Sequence, residues 1–138
     1  MLRPMFKEGM DVDTASRDYA AHLRSELGPG TSVLDLCLLG MGPDGHTASL
    51  FPGQPSLSES SRLCVAVKHP ATGQDRLTLT YPVLNASRNV AFIASGAEKA
   101  ALLAGILANH NQSDVPAARV RPANAPIWFV DKAAAGQS

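Results

Sequence analysis

The chain has 138 residues, enough for one domain with a single core. Apolar residues make up 45% and charged residues 17%, which excludes an intrinsically disordered chain. The formal net charge is zero, so no global field draws the chain to nucleic acid or an anionic membrane. An anionic ligand would have to be held by a few local cations, which points to a small phosphorylated molecule.

Met1 to Asp13 is weakly patterned. Asp13-Thr14 offers an N-cap for a helix to about Leu27, with Ala15, Tyr19, Leu23 and Leu27 on one face at spacing four. Gly28-Pro29-Gly30 ends it. The nearly continuous apolar run from Val33 to Leu39 suits a strand buried on both faces. It runs into Gly40-Met41-Gly42-Pro43-Asp44-Gly45, and a helix is expected to begin near His46. Leu63 to Val67, Leu77 to Tyr81 and Val90 to Ala94 read as further strands. A helix follows from about Ala97 to Asn109, with Leu102, Leu103, Ile106 and Leu107 as its inward stripe. A polar loop from Ser113 to Asn124 precedes a last strand, Ile127 to Val130.

This alternation predicts an α/β fold, a Rossmann-like open parallel sheet with helices on both faces, in one domain spanning 1–138. The chain enters on a helix and has few strong central strands for such a sheet. A missing N-terminal portion is therefore expected. Cys37 and Cys64 lie inside apolar runs and read as buried thiols. With no leader pattern and no apolar stretch long enough to span a bilayer, the expected location is the cytoplasm.

The six residues from Gly40 fit the GxGxxG spacing of a dinucleotide site, a weak pattern alone. The following strand ends at Lys68-His69 where a ribose-binding acid would stand, which argues against that reading. Gly42 and Gly45 let the backbone turn tightly and approach a ligand. Asp44 and His46 stand two apart at the carboxyl end of a buried strand, where open α/β sheets place ligands. In the first turn of a helix, His46 would be kept neutral by the helix dipole and so serve as a general base. Asp44 would orient its ring or hold a water. Lys99 falls in the first turn of the helix after Gly96, so its ammonium and the helix N-terminus can address one anion. Arg76 opens a strand and offers a forked contact to phosphate oxygens. Lys68, His69 and Arg88 read as surface residues, Thr47 and Ser49 as helix caps, and Phe51-Pro52 as packing. His22 and His110 read as solvated positions on helix faces.

The segment Leu38-Leu39-Gly40-Met41-Gly42-Pro43-Asp44-Gly45-His46-Thr47-Ala48-Ser49-Leu50-Phe51-Pro52 resembles the signature of the 6-phosphogluconolactonases. Arg76-Leu77-Thr78-Leu79-Thr80-Tyr81-Pro82-Val83-Leu84-Asn85-Ala86 is similar to a second family segment, as are Ser95 to Ala100 and Trp128 to Asp131. The resemblance implies hydrolysis of 6-phospho-glucono-δ-lactone to 6-phosphogluconate in the pentose phosphate pathway, with no metal and no organic cofactor. It implies His46 as general base with Asp44 beside it, and Arg76, Lys99, Gly42 and Gly45 around the substrate and its phosphate. Family members also carry a first half with segments of the type SGGxTP and DERxVP, and neither pattern occurs here. The expectation is a C-terminal half that holds the base and part of the phosphate clamp, and that self-associates through an exposed sheet edge. Glucosamine-6-phosphate deaminase, of related fold, also resembles the glycine turn, but its motif continues differently from Thr47 to Pro52. A catalytically incomplete sugar-phosphate-binding fragment is the other alternative.

Overall fold

A computed structural model describes residues 2–28, 34–108 and 114–137. Helix α1 (Val12–Leu27) begins two residues earlier than the sequence suggests, because Asp11 is the cap and its carboxylate accepts the Thr14 N–H at 2.9 Å. Gly28 ends the helix at a φ of 82°; Pro29, Gly30 and Val33 lie outside the described residues. The helix buries Ala15, Ser16, Ala20 and Leu23, while Tyr19 and Leu27 are half-buried.

Strands β1 (Cys37–Gly40), β4 (Val90–Ala94) and β5 (Ile127–Val130) form a parallel sheet in the order β1-β4-β5. Strands β2 (Cys64–Lys68) and β3 (Asp75–Leu79) stand apart as an antiparallel ribbon. Both were expected as strands, yet only the turn 69–74 joins them, far too short for the crossover a parallel pair requires. Helix α1 packs against this ribbon. Short helix α2 (Tyr81–Ala86) starts where a strand was expected to end, with Pro82 in its first turn. Helix α3 (Ala100–Leu107) follows a single 3-10 turn at Ala97–Lys99. Its inner side carries Leu102, Leu103 and Ile106, whereas Leu107 points out; Asn109 and His110 lie outside the described residues. A further 3-10 turn at Pro116–Arg119 falls within the expected polar loop.

The core gathers Cys37, Leu39, Val90 and Phe92 from the sheet with Tyr81, Leu84 and Leu103 from the helices. Phe92 is fully buried and stacks on Trp128 at 4.1 Å. Cys37 and Cys64 are buried free thiols; burial pushes the first above its ordinary range and the second up to about 11. Strand β1 was expected to be buried on both faces, but its burial alternates. Leu38, Ile93, Ile127 and Phe129 share the other side of the sheet and are each 56–63% exposed. Parallel sheets are ordinarily covered on both faces. The helices described here bury only one. Among the described residues, no helix is long and apolar enough to cross a membrane.

Candidate active site

In a parallel sheet all strands end at the same edge, and Gly40 of β1 pairs with Ile93 of β4. The turn after β1 and the Gly96–Lys99 turn after β4 therefore stand side by side. At this edge the chain turns through Gly42, Asp44, Gly45 and His46. Gly42 donates to the His46 carbonyl at 3.0 Å, and Gly45 to the Gly42 carbonyl at 2.9 Å. No helix begins at His46. Ala48 takes a φ of 50°, and a tight turn closes with the Leu50 N–H on the Thr47 carbonyl at 2.9 Å. The left-handed residue breaks the helical path, so a helix dipole cannot tune this imidazole. Thr47 and Ser49, expected as helix caps, anchor the turn instead. The Thr47 hydroxyl donates to the Gly40 carbonyl at 2.8 Å, and the Ser49 N–H donates to the Thr78 hydroxyl at 3.1 Å.

Asp44, not a helix, sets the surroundings of the imidazole. Its Oδ1 lies 2.5 Å from His46 Nδ1 and 3.1 Å from the His46 N–H. In a neutral imidazole, an acceptor carboxylate at Nδ1 selects the Nδ1–H tautomer, whose lone pair is on Nε2. Partial burial raises the Asp44 carboxyl, but the hydrogen bonds from the His46 backbone and ring, with the charge of the ring, outweigh it. The net position is below the ordinary 3.8. Asp44 is thus an anion at neutral pH. The His46 side chain is 30% exposed, open enough to meet a ligand.

Both glycines have steric reasons. A Cβ on Gly42 would collide with the His46 ring and fall 2.9 Å from Asp44 Oδ1. Gly45 has a φ of 82°, and its Cβ would meet Val115 at 2.6 Å and Leu102 of α3 at 3.2 Å. The turn therefore rests directly against the helix that Lys99 opens. Lys99 is no solvated surface residue: its side chain is only 16% exposed, and the ammonium lies 3.9 Å from the Glu98 carboxylate. On the side of β4 away from β1, the Gly96 N–H donates to Asp131 at 3.2 Å, tying β4 to the end of β5. Arg76 lies elsewhere, exposed on the β2–β3 ribbon with its guanidinium 3.0 Å from Gln74 Oε1. It shares a side of β3 with Thr78, whose hydroxyl accepts the Ser49 N–H. Among the described residues, no group of three or more His, Cys, Asp and Glu side chains could hold a metal ion.

Phe51 and His69 were read as packing and surface. Phe51 is 1% exposed; its ring lies 4.8 Å from the His46 ring and 5.0 Å from that of His69. Nothing in a linear sequence signals this meeting, since His69 reaches the turn only through the ribbon.

The family model of glucosamine-6-phosphate isomerases and 6-phosphogluconolactonases matches residues 2–128. A 6-phosphogluconolactonase of Homo sapiens is 45% identical over 129 residues, covering 91% of this chain and 50% of that protein. The structure of the 6-phosphogluconolactonase from Trypanosoma brucei superposes with a TM-score of 0.79 at 31% identity, over 89% of this chain and 52% of that one. A monomeric glucosamine-6-phosphate deaminase shares the fold, with a TM-score of 0.69 at 23% identity over 92% of this chain and 55% of its own. The chain spans about half the length of the relatives it matches. With its signature turn placed at the carboxyl edge of a parallel sheet, the chain belongs to the glucosamine-6-phosphate isomerase/6-phosphogluconolactonase family.

Proposed function

We propose that this chain carries the water-activating part of a 6-phosphogluconolactonase site, a carboxylic ester hydrolase acting on 6-phospho-glucono-δ-lactone. The observation that carries the reading is the 2.5 Å contact between Asp44 and His46 at the strand edge. In this reading the Nε2 lone pair of His46 takes a proton as water attacks the lactone carbonyl carbon. Asp44 fixes the tautomer and stabilises the imidazolium as it forms. The ester C–O bond then breaks as the proton passes from Nε2 to the departing ring oxygen, giving a hydroxyl and a carboxylic acid that releases its own proton to solvent and becomes the carboxylate. General-base assistance of this kind is worth about 10²–10⁴-fold. The lactone is an activated ester, so no metal or organic cofactor is needed for the step.

Lys99 is the best placed cation for the phosphate, being shielded, weakly paired and at the same sheet edge. Arg76 would have to leave Gln74 to join it, and its place on the Thr78 side of the ribbon supports that role. Gly42 and Gly45 admit the ligand close to the backbone. The expected cytoplasmic location fits two buried thiols that remain unpaired. Self-association is favoured by the uncovered apolar face of the sheet more than by its edges, and sedimentation of the purified chain reads it out.

The discriminating experiment offers the chain two substrates. Proton release from phosphogluconolactone without ammonia release from glucosamine-6-phosphate is the expected result. Ammonia as the sole product would assign the chain to the deaminase branch. Binding of 6-phosphogluconate without any turnover would support the incomplete-fragment reading.

A further inference from the structure

We propose that Phe51 is a positioning residue for His46, its buried ring holding the imidazole in the orientation that meets Asp44, with His69 set edge-on against the same ring. The His46 and Phe51 centroids lie 4.8 Å apart with the planes tilted by 42°, and the Phe51 and His69 centroids lie 5.0 Å apart at 69°. Both fall in the range where aromatic pairs attract and prefer a defined geometry. Phe51 cannot swing away, because it is 1% exposed, whereas the His46 side chain is 30% exposed. One fixed ring therefore restrains one freer ring.

The need for such a restraint follows from the backbone. His46 lies in a turn with no helix to limit its χ angles, and Ala48 beyond it is left-handed. Asp44 holds only one corner of the imidazole, through Nδ1. A single hydrogen bond leaves the ring free to pivot about that corner, and the face of Phe51 removes the freedom. His69 is itself fixed: its Nδ1 accepts the Ala71 and Thr72 N–H groups at 3.2 and 3.3 Å, and its backbone N–H donates to the Gln74 carbonyl at 2.8 Å. The tip of the β2–β3 ribbon is thereby coupled to the imidazole through Phe51. Gln54, whose side chain donates to the Lys68 carbonyl at 2.9 Å, ties the same two segments together.

The kinetic consequence rests on the reading of His46 as general base; the orientation itself does not, and the test separates them. The full chain labelled with ¹⁵N-histidine has four imidazoles, each assignable by a single His→Gln substitution. Long-range ¹H–¹⁵N spectra then report the tautomer of each. The wild type should show His46 as a single Nδ1–H tautomer. In Phe51→Leu the His46 nitrogens should move toward the average of the two tautomers. Turnover of phosphogluconolactone should fall about 10- to 100-fold in kcat with KM unmoved, as expected for a misplaced reacting group. His69→Gln, which leaves Phe51 in place, should shift the same signals less. Leu84→Ala is the control for general loosening, because Leu84 is fully buried in a core cluster that does not include Phe51. An unchanged His46 tautomer in folded Phe51→Leu overturns the proposal, and so does an equal change in Leu84→Ala. A tautomer change in a chain without lactone turnover would uphold the positioning and sink only the assigned reaction.

Discussion

Gly42→Ala tests the geometry of the turn with a single methyl group. A Cβ at this position overlaps Cε1 and Nδ1 of His46 and stands 2.9 Å from Asp44 Oδ1, where ordinary contact begins at 3.4 Å. The carboxylate must retreat by about 0.5 Å and the ring by more, and the two are joined by a contact of 2.5 Å. The pair therefore moves as a unit or comes apart. A displacement near 1 Å of a reacting group costs about 10²-fold in rate, or about 2.7 kcal/mol of transition-state stabilisation at 1.36 kcal/mol per decade. Gly40→Ala is the matched control in the same segment. Its nearest neighbour would be the Ile93 carbonyl oxygen at 4.0 Å, so it should leave turnover unchanged. Stopped-flow detection of proton release from phosphogluconolactone reads both variants. Equal loss in both, or none in Gly42→Ala, would refute the claim that the His46 ring is seated on Gly42.

Other substitutions probe the rest of the site. In Asp44→Asn the carboxylate that fixes the tautomer is gone, so kcat should fall while KM changes little. Because the folded Asp44 carboxyl lies below 3.8, its stabilisation is fully present above that pH and lost as pH falls through the depressed value. Thermal melts of wild type and Asp44→Asn should therefore differ at neutral pH and converge in acid. Ala48→Gly removes a left-handed alanine and should raise the melting temperature, the strain being about 1–2 kcal/mol, where Ala→Gly ordinarily lowers it. Lys99→Ala should raise KM for the phosphorylated lactone strongly and leave kcat nearly intact, measured by the same proton-release assay.

How much of this was legible follows from what each feature depends on. The strands Val90–Ala94 and Ile127–Val130 were marked by their own apolar runs and appear at the expected bounds. The body of α1 was likewise local, although its cap is Asp11 rather than Asp13-Thr14. Strand partners were less accessible, because Leu63 to Val67 and Leu77 to Tyr81 read simply as further strands beside those of the parallel sheet. The shortness of turn 69–74 is what separates them. The helix expected at His46 failed because one residue, Ala48, adopts a conformation its side chain disfavours. That conformation is set by anchors at Gly40 and Thr78, remote in sequence. Asp44 and His46 were legible because their contact is local. Phe51 with His69 was not, because two separate folding units must meet before the rings touch.

The central claim is that His46, oriented by Asp44, activates water at this sheet edge. The most direct measurement is kcat for phosphogluconolactone hydrolysis by His46→Ala beside wild type, with binding of 6-phosphogluconate followed on the same samples. A loss of about 10²–10⁴-fold in kcat with product binding retained is the predicted result. A normal kcat in His46→Ala would place the base elsewhere and contradict the account.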